Sequence, residues 1–249
     1  MNAAFWKGKK VFITGHTGFK GSWLCMWLGR LGAEVIGFSN GLPTAPAMHR
    51  LCGLERDVPW VRGDIRDVAA LRQHLRQWKP DLIFHLAAQP LVLASYDNPV
   101  DTFAVNAIGT AALLEAARGV NSVQAIVAAT SDKCYANGEW TRGYRESDPL
   151  GGHDPYSASK ACAELVVSAF RRSYYAAGDS PALATVRAGN VIGGGDFAAD
   201  RIVPDCVRAA LGGHAPPLRR STKRASCCST AAKRSRASAG GRAGMPRTR

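Results

Sequence analysis

The sequence predicts an α/β fold built on a doubly wound parallel sheet, and three observations predict it. Short apolar runs ending in small residues alternate with longer amphipathic stretches, the pattern of βαβ units whose strands are buried on both faces. The first run, VFITG, passes into Gly15-His16-Thr17-Gly18-Phe19-Lys20-Gly21 and then into an amphipathic stretch. The fifth run ends in Thr130-Ser131-Asp132-Lys133, polar residues at the carboxyl end of a strand, where such sheets place reactive groups.

Taken in order, the apolar, β-branched runs predict strands over 10–14, 34–38, 60–62, 81–86, 125–129 and 182–187. The stretches between them carry the helical period and predict helices over 19–31, 68–78, 99–118, 155–175 and 204–211. Trp23 and Trp27 are expected to pack the first of these helices onto the sheet, and His85 to pack at the end of the fourth strand.

Length and charge bound the rest. At 249 residues and 46% apolar content the chain can bury one full core, alone or with a small lobe. The net charge of +13 is not spread evenly: ten basic residues and no acid lie between Leu218 and Arg249, which leaves +3 for everything before. The body is therefore close to neutral, which argues against a nucleic-acid or membrane partner for it. Seven cysteines form no Cys-x-x-Cys pair and no metal-ligand spacing with the six histidines, so reduced thiols in a cytoplasm and no metal are expected. Lys7, Lys9 and Lys10 precede an apolar run too short for a secretory signal, and no later run is expected to span a membrane.

The turn Gly15–Gly21 reads as a phosphate site: glycines admit a pyrophosphate close to the backbone, and the free N–H groups and the positive helix end hold its charge. A P-loop needs Gly-Lys-Ser/Thr in that order, whereas Lys20 here precedes Gly21 and Ser22. Asp64, in Gly63-Asp64-Ile65-Arg66-Asp67, either accepts from an adenine amino group or caps a helix, a role open to Asp67 as well. The second strand ends Phe38-Ser39-Asn40, with neither an acid for a ribose 2′-hydroxyl nor an arginine for a 2′-phosphate, so NAD and NADP stay undistinguished here. Tyr156-Ser157-Ala158-Ser159-Lys160 sets a phenol and an ammonium four residues apart on one helical face. Read alone, that is a surface pair; beside Ser131 it reads as an acid–base pair in which the cation lowers the phenol's pKa.

Together, Gly15-x-x-Gly18-x-x-Gly21, His85-Leu86-Ala87-Ala88-Gln89, Asn106, Ser131, Tyr156 and Lys160 resemble the extended short-chain dehydrogenase/reductase family, with its Rossmann fold. The narrower string Thr130-Ser131-Asp132-Lys133-Cys134-Tyr135, with FKGSW before it and RAGNVIGGGD after it, is similar to the CDP-glucose branch of the sugar-nucleotide 4,6-dehydratases. The resemblance implies a nucleotide-sugar substrate (CDP-glucose) and NAD held by Gly15, Thr17, Gly18, Phe19, Lys20, Gly21, Asp64, Ile65, Leu86, Ala87, Ala88, Gln89, Asn106, Tyr156 and Lys160. It implies that Tyr156 deprotonates the C4 hydroxyl as hydride leaves for NAD, and that Asp132 is the acid for loss of the C6 hydroxyl. Hydride then returns to C6, giving a 4-keto-6-deoxy sugar. Ser131 is implied to bond the C4 oxygen and Lys160 the nicotinamide ribose. Lys133 is implied either to remove the C5 proton, given a lowered pKa, or to position the substrate. Ser95 and Asn190 are implied to meet the substrate, with a turn-forming Asn before Gly193-Gly194-Gly195 as the plain reading of Asn190. A simple 4-epimerase has no need of Asp132-Lys133. The resemblance is compatible with a homodimer.

The likeness covers residues 5–216, read as the dinucleotide-binding domain with its catalytic residues. Residues 217–249 turn to Arg, Ser, Ala, Gly and Cys without apolar period, a composition that predicts a disordered, inert basic tail. They resemble translation in a shifted frame, where relatives build the rest of a substrate lobe. The expectation is a Rossmann fold whose smaller C-terminal substrate lobe is largely missing, with little turnover, or a remnant that only binds cofactor.

Overall fold

The computed structural model describes residues 2–215 other than 139, 177 and 179. The tail 217–249 lies outside the described residues. Within them, β1 (Lys10–Thr14), β2 (Glu34–Ser39), β3 (Trp60–Arg62), β4 (Leu82–His85), β5 (Ala125–Ala129) and β6 (Ala182–Val186) pair in parallel in the order β3-β2-β1-β4-β5-β6. The order reverses beside β1, between β1 and β4, which opens a crevice at the carboxyl ends of both strands. Register is continuous across that point: Val11 lies opposite both Val35 and Leu82, and Thr14 opposite Phe38 and His85.

Strand alternation builds two cores. Phe12, Ile36, Phe38, Ile83, Ile126 and Leu183 face one way, onto α5 (Val68–Trp78), α8 (Gly109–Ala117) and α9 (Pro155–Ser173). Val11, Ile13, Val35 and Leu82 face the other, onto Cys25 and Leu28 of α2 (Phe19–Arg30) and onto Leu54 and Val58. A fully buried side chain of this kind contributes about 1.5–3 kcal/mol relative to exposure, which is why a near-continuous apolar strand reads as central.

Short helices complete the connections: α1 (Ala3–Trp6), α3 (Met48–Leu51), α4 (Leu54–Asp57), α6 (Val92–Asp97) and α10 (Ile202–Leu211). The helix expected over 99–118 is α7 (Pro99–Phe103), a π turn over Ala104–Ile108 and then α8. It corrects one expectation. At 19 residues and a mean hydropathy of 1.2, Pro99–Ala117 is long and apolar enough to cross a membrane. Its apolar side chains Leu113, Leu114, Ala116 and Ala117 are instead buried in the core of this fold.

A second correction concerns the tryptophans. Trp23 and Trp27 are 48% and 50% exposed, so neither packs α2 onto the sheet; Cys25 and Leu28 do. Trp23 instead donates from Nε1 to the Gly194 carbonyl at 3.0 Å, tying α2 to the glycine string that follows β6.

Candidate active site at the carboxyl ends of the strands

A cleft of about 310 Å³ opens over β1, β2 and β4. Gly15 turns there with φ +71°, its N–H bonded to the Phe38 carbonyl at 2.8 Å, and a Cβ on it would lie 2.7 Å from the Ala87 nitrogen. A Cβ on Gly21 would meet the Gly15 carbonyl oxygen at 2.3 Å. Only glycine lets the loop turn this tightly and leave the first amides of α2 facing the cleft. Thr17 anchors the loop sideways, its hydroxyl donating to Gly41 O at 2.6 Å.

Of the residues implied to hold a dinucleotide, Gly15, Thr17, Gly18, Phe19, Lys20, Gly21, Asp64, Ile65, Leu86, Ala87 and Ala88 line this cleft. Burial in its walls and the neighbouring Arg201 hold the Lys20 ammonium below its ordinary pKa. The capping role falls to Asp67, which accepts from Ala70 N at 3.0 Å. Asp64 instead faces the cleft with Arg66 on both oxygens, at 2.9 and 2.6 Å, and its hydrogen bonds to Arg66 hold the carboxyl below the usual range. The same guanidinium reaches Asp101 at 2.7 Å.

Gln89 and Asn106 stand behind the cleft wall. Asn106 is 1% exposed; its Oδ1 accepts from Gln89 N at 2.9 Å, and its Nδ2 donates to Gln89 O and to Ser159 Oγ. It therefore ties the loop after β4 to α9 from inside the π turn, an irregularity that recurs at functional sites. His85 is buried at the root of that loop. Thr110 Oγ1 donates to Asn106 O, so it accepts from His85 Nε2–H, and Nδ1 is left to accept from the Thr14 hydroxyl. Burial first, and Lys160 second, push the imidazole down to about 3.

Ser131 and Tyr156 lie outside the lining of this cleft, near enough for Arg201 in its wall to act on the phenol. Ser131 follows β5, accepts Lys133 N at 3.2 Å and donates to Asp132 Oδ1 at 3.1 Å, which shapes the short 3₁₀ turn Asp132–Cys134. Its side chain lies near enough to the Tyr156 phenol to act on its ionisation. Asp132 is exposed and Lys133 half-buried. A Cβ on Gly189 would come within 3.3 Å of Asp132 Oδ2, so the loop that carries exposed Asn190 passes close to that carboxylate.

One electrostatic expectation is corrected. Burial raises the Tyr156 phenol above its ordinary 10, opposed by the neighbouring Ser131 side chain and by Arg201. Lys160 does not figure among these causes: its Nζ donates to the Ala129 carbonyl at 3.3 Å, and burial brings its own pKa down to about 8. The phenol needs a further positive group to work near neutrality.

Two parts of the site escape sequence reasoning. Ser39–Thr44, Met48, and Gly195–Ala198 with Arg201 line the cleft although only fragments of them carry a motif. Beneath the Asp132–Cys134 turn, buried Glu164 takes Arg187 on both oxygens at 2.8 Å, Thr130 at 2.5 Å and Thr185 at 2.9 Å, while Arg187 also donates to the Tyr135 hydroxyl at 2.7 Å. The only signal was an acid at mid-helix. Ser95, implied to meet the substrate, is wholly buried.

A parallel sheet with a glycine-rich turn at its switch point, followed by Ser131 after β5 and Tyr156 at the start of α9, defines the class of dinucleotide-binding Rossmann folds. The chain belongs to the GDP-mannose 4,6 dehydratase family, whose profile matches residues 12–208. It is 52% identical over 213 residues to a CDP-glucose 4,6-dehydratase of Salmonella typhimurium, covering 82% of this chain and 58% of that protein. The solved dTDP-glucose 4,6-dehydratase DesIV of Streptomyces venezuelae, with NAD and TYD bound, superposes with a TM-score of 0.71 at 28% identity over 82% of this chain and 62% of its own. The epimerase Mth375 of Methanothermobacter thermautotrophicus gives 0.72 at 28% identity, over 84% and 60%. The chain thus spans less than two thirds of the length of each.

Proposed function

We propose that this protein dehydrates CDP-D-glucose to CDP-4-keto-6-deoxy-D-glucose with NAD as a recycled cofactor. The observation that carries the reading is the approach of Ser131 to Tyr156 beside the glycine-lined cleft, whose Arg201 acts on the same phenol, with Asp132 the next residue along. The CDP-glucose assignment rests on the relative with 52% identity, which bears that name.

The cleft fits the cofactor. Gly15 and Gly21 tolerate no Cβ, the amides of α2 face the space they leave, and Lys20 and Arg201 supply charge for a diphosphate. NAD supplies reversible acceptance of hydride from the sugar. Tyr156 takes the proton of the C4 hydroxyl, while Ser131 holds the same oxygen and keeps the phenol in line. Once C4 is a ketone the C5 proton is acidic, and the exposed Asp132 carboxyl protonates the leaving C6 hydroxyl. Half-buried Lys133 is the group on this turn available at C5. An epimerase needs only Ser131 and Tyr156; the Asp132 side chain, bonded to Ser131 at 3.1 Å, favours elimination. Free cysteines at positions 25, 52, 134, 162 and 206 support a cytoplasmic setting. Exposed Val100, Ile108 and Leu165 support association of two copies.

Two substitutions test the reading. Tyr156→Phe should slow oxidation at C4 by about 10²–10⁴-fold while nucleotide-sugar binding persists, because it removes one ionisable oxygen and little volume. Asp132→Asn should leave oxidation and slow elimination, so reduced cofactor accumulates in rapid-mixing absorbance traces. Equal slowing of both steps in Asp132→Asn would leave that carboxylate without a chemical role.

A further inference from the structure

Asp154 is the N-cap of α9, and its carboxylate is used on Ser157, accepting from the amide at 2.9 Å and from the hydroxyl at 2.6 Å. Pro155 has no N–H to satisfy. Tyr156 therefore holds the first free amide of the helix, at a position where an orphan N–H finds no partner within the helix.

Its partner comes from another element. Ser95 Oγ of α6 accepts from Tyr156 N at 3.1 Å, and the same hydroxyl donates to Val92 O at 2.6 Å. The hydroxyl proton is thus committed, and Ser95 is 0% exposed, so it has neither a proton nor a surface to offer a sugar. The carbonyl of Tyr156 is held in the same way: Ser159 Oγ, also 0% exposed, donates to it at 2.7 Å and itself accepts from Asn106.

We propose that Ser95 is a positioning residue that fixes the main chain of Tyr156, rather than a substrate ligand. The claim rests on Tyr156 being the base of the proposed reaction. Ser95 sets where the phenol begins its reach, and misplacement of a reacting group by about 1 Å costs on the order of a hundredfold in rate.

The test has two arms on the full chain. In the first, amide hydrogen exchange is read by NMR for wild type, Ser95→Ala and Ser95→Thr. Alanine should lower protection of the Tyr156 amide by about tenfold or more and leave Ala158, whose amide bonds to Asp154 O at 2.9 Å, unchanged; threonine should restore it. Unchanged protection at Tyr156 in the alanine variant, or equal loss in both variants, would overturn the proposal. In the second arm, oxidation of CDP-glucose by the NAD-loaded protein is followed in single and double variants. Ser95→Ala should lower kcat by about ten- to a hundredfold with KM within twofold, and should have no further effect once Tyr156 is Phe. A raised KM that persists in the Tyr156→Phe background would return Ser95 to the substrate. If wild type oxidises no CDP-glucose, the proposed function fails, and the exchange arm alone decides the role of Ser95.

Discussion

His85 sits at the end of β4 with both ring nitrogens bonded and its imidazole pushed down to about 3; His16, buried beside His49 and Trp60, is pushed down to about 4. Both stand at 6.5 when unfolded, so above that value neither state binds the proton. As pH falls below 6.5 the unfolded chain takes up protons that the folded chain refuses, and stability is lost until the folded values are reached. Urea unfolding between pH 4 and 6.5 should therefore weaken steadily toward acid. His85→Gln should remove one proton's worth of the slope, about 1.4 kcal/mol per pH unit. A slope that is the same in that variant would show that His85 is protonated in the fold. At this scale the sequence exposes residues that carry their own context, such as Ser131 in its strand-end string and Tyr156 four before Lys160. It singles out Ser95 and Asn106 only through the resemblance, and hides the contacts of each, made with partners 61 and 53 residues away.

Elements were legible where periodicity is strong. β1, β3, β5 and α5 lie where the apolar pattern puts them, and β2, β4, β6, α2, α9 and α10 differ by a residue or two at their ends. The four- and six-residue helices α1, α3, α4 and α6 escape because so few residues show no 3.6-residue period, and the π turn escapes because it keeps the apolar pattern of the helices on either side. The face of α2 was misread for a related reason: periodicity groups Trp23 with Trp27 but does not say which stripe meets the sheet. The β1–α2 turn offers a sharp test. Gly15→Ala would force a side chain into the left-handed region at φ +71° and onto the Ala87 backbone at 2.7 Å. It should destabilise the fold by about 1–3 kcal/mol in thermal or urea unfolding and remove NAD binding measured by calorimetry. Retained affinity in the alanine variant would mean that the pyrophosphate lies elsewhere.

For the molecule as a whole, the strand order brings the glycine turn and the Asp64–Arg66 pair to one crevice and sets Ser131 and Tyr156 beside it, although the glycine turn and Ser131 lie more than a hundred residues apart in sequence. That convergence follows from right-handed crossovers in a parallel sheet, which bring every strand's carboxyl end to the same edge. Charge is partitioned as composition implies, with ten of the basic residues in 218–249 and a nearly neutral body before them. The central claim is an internal redox cycle in which the hydrogen taken from C4 is given back at C6. It is tested most directly by supplying CDP-glucose deuterated at C4, with NAD and this chain, and locating the label in the product by mass spectrometry and NMR. The expected product is a 4-keto-6-deoxy sugar with deuterium at C6 and solvent hydrogen at C5, however slow the turnover; a C4 epimer that keeps its label at C4, or no conversion at all, would rule the cycle out.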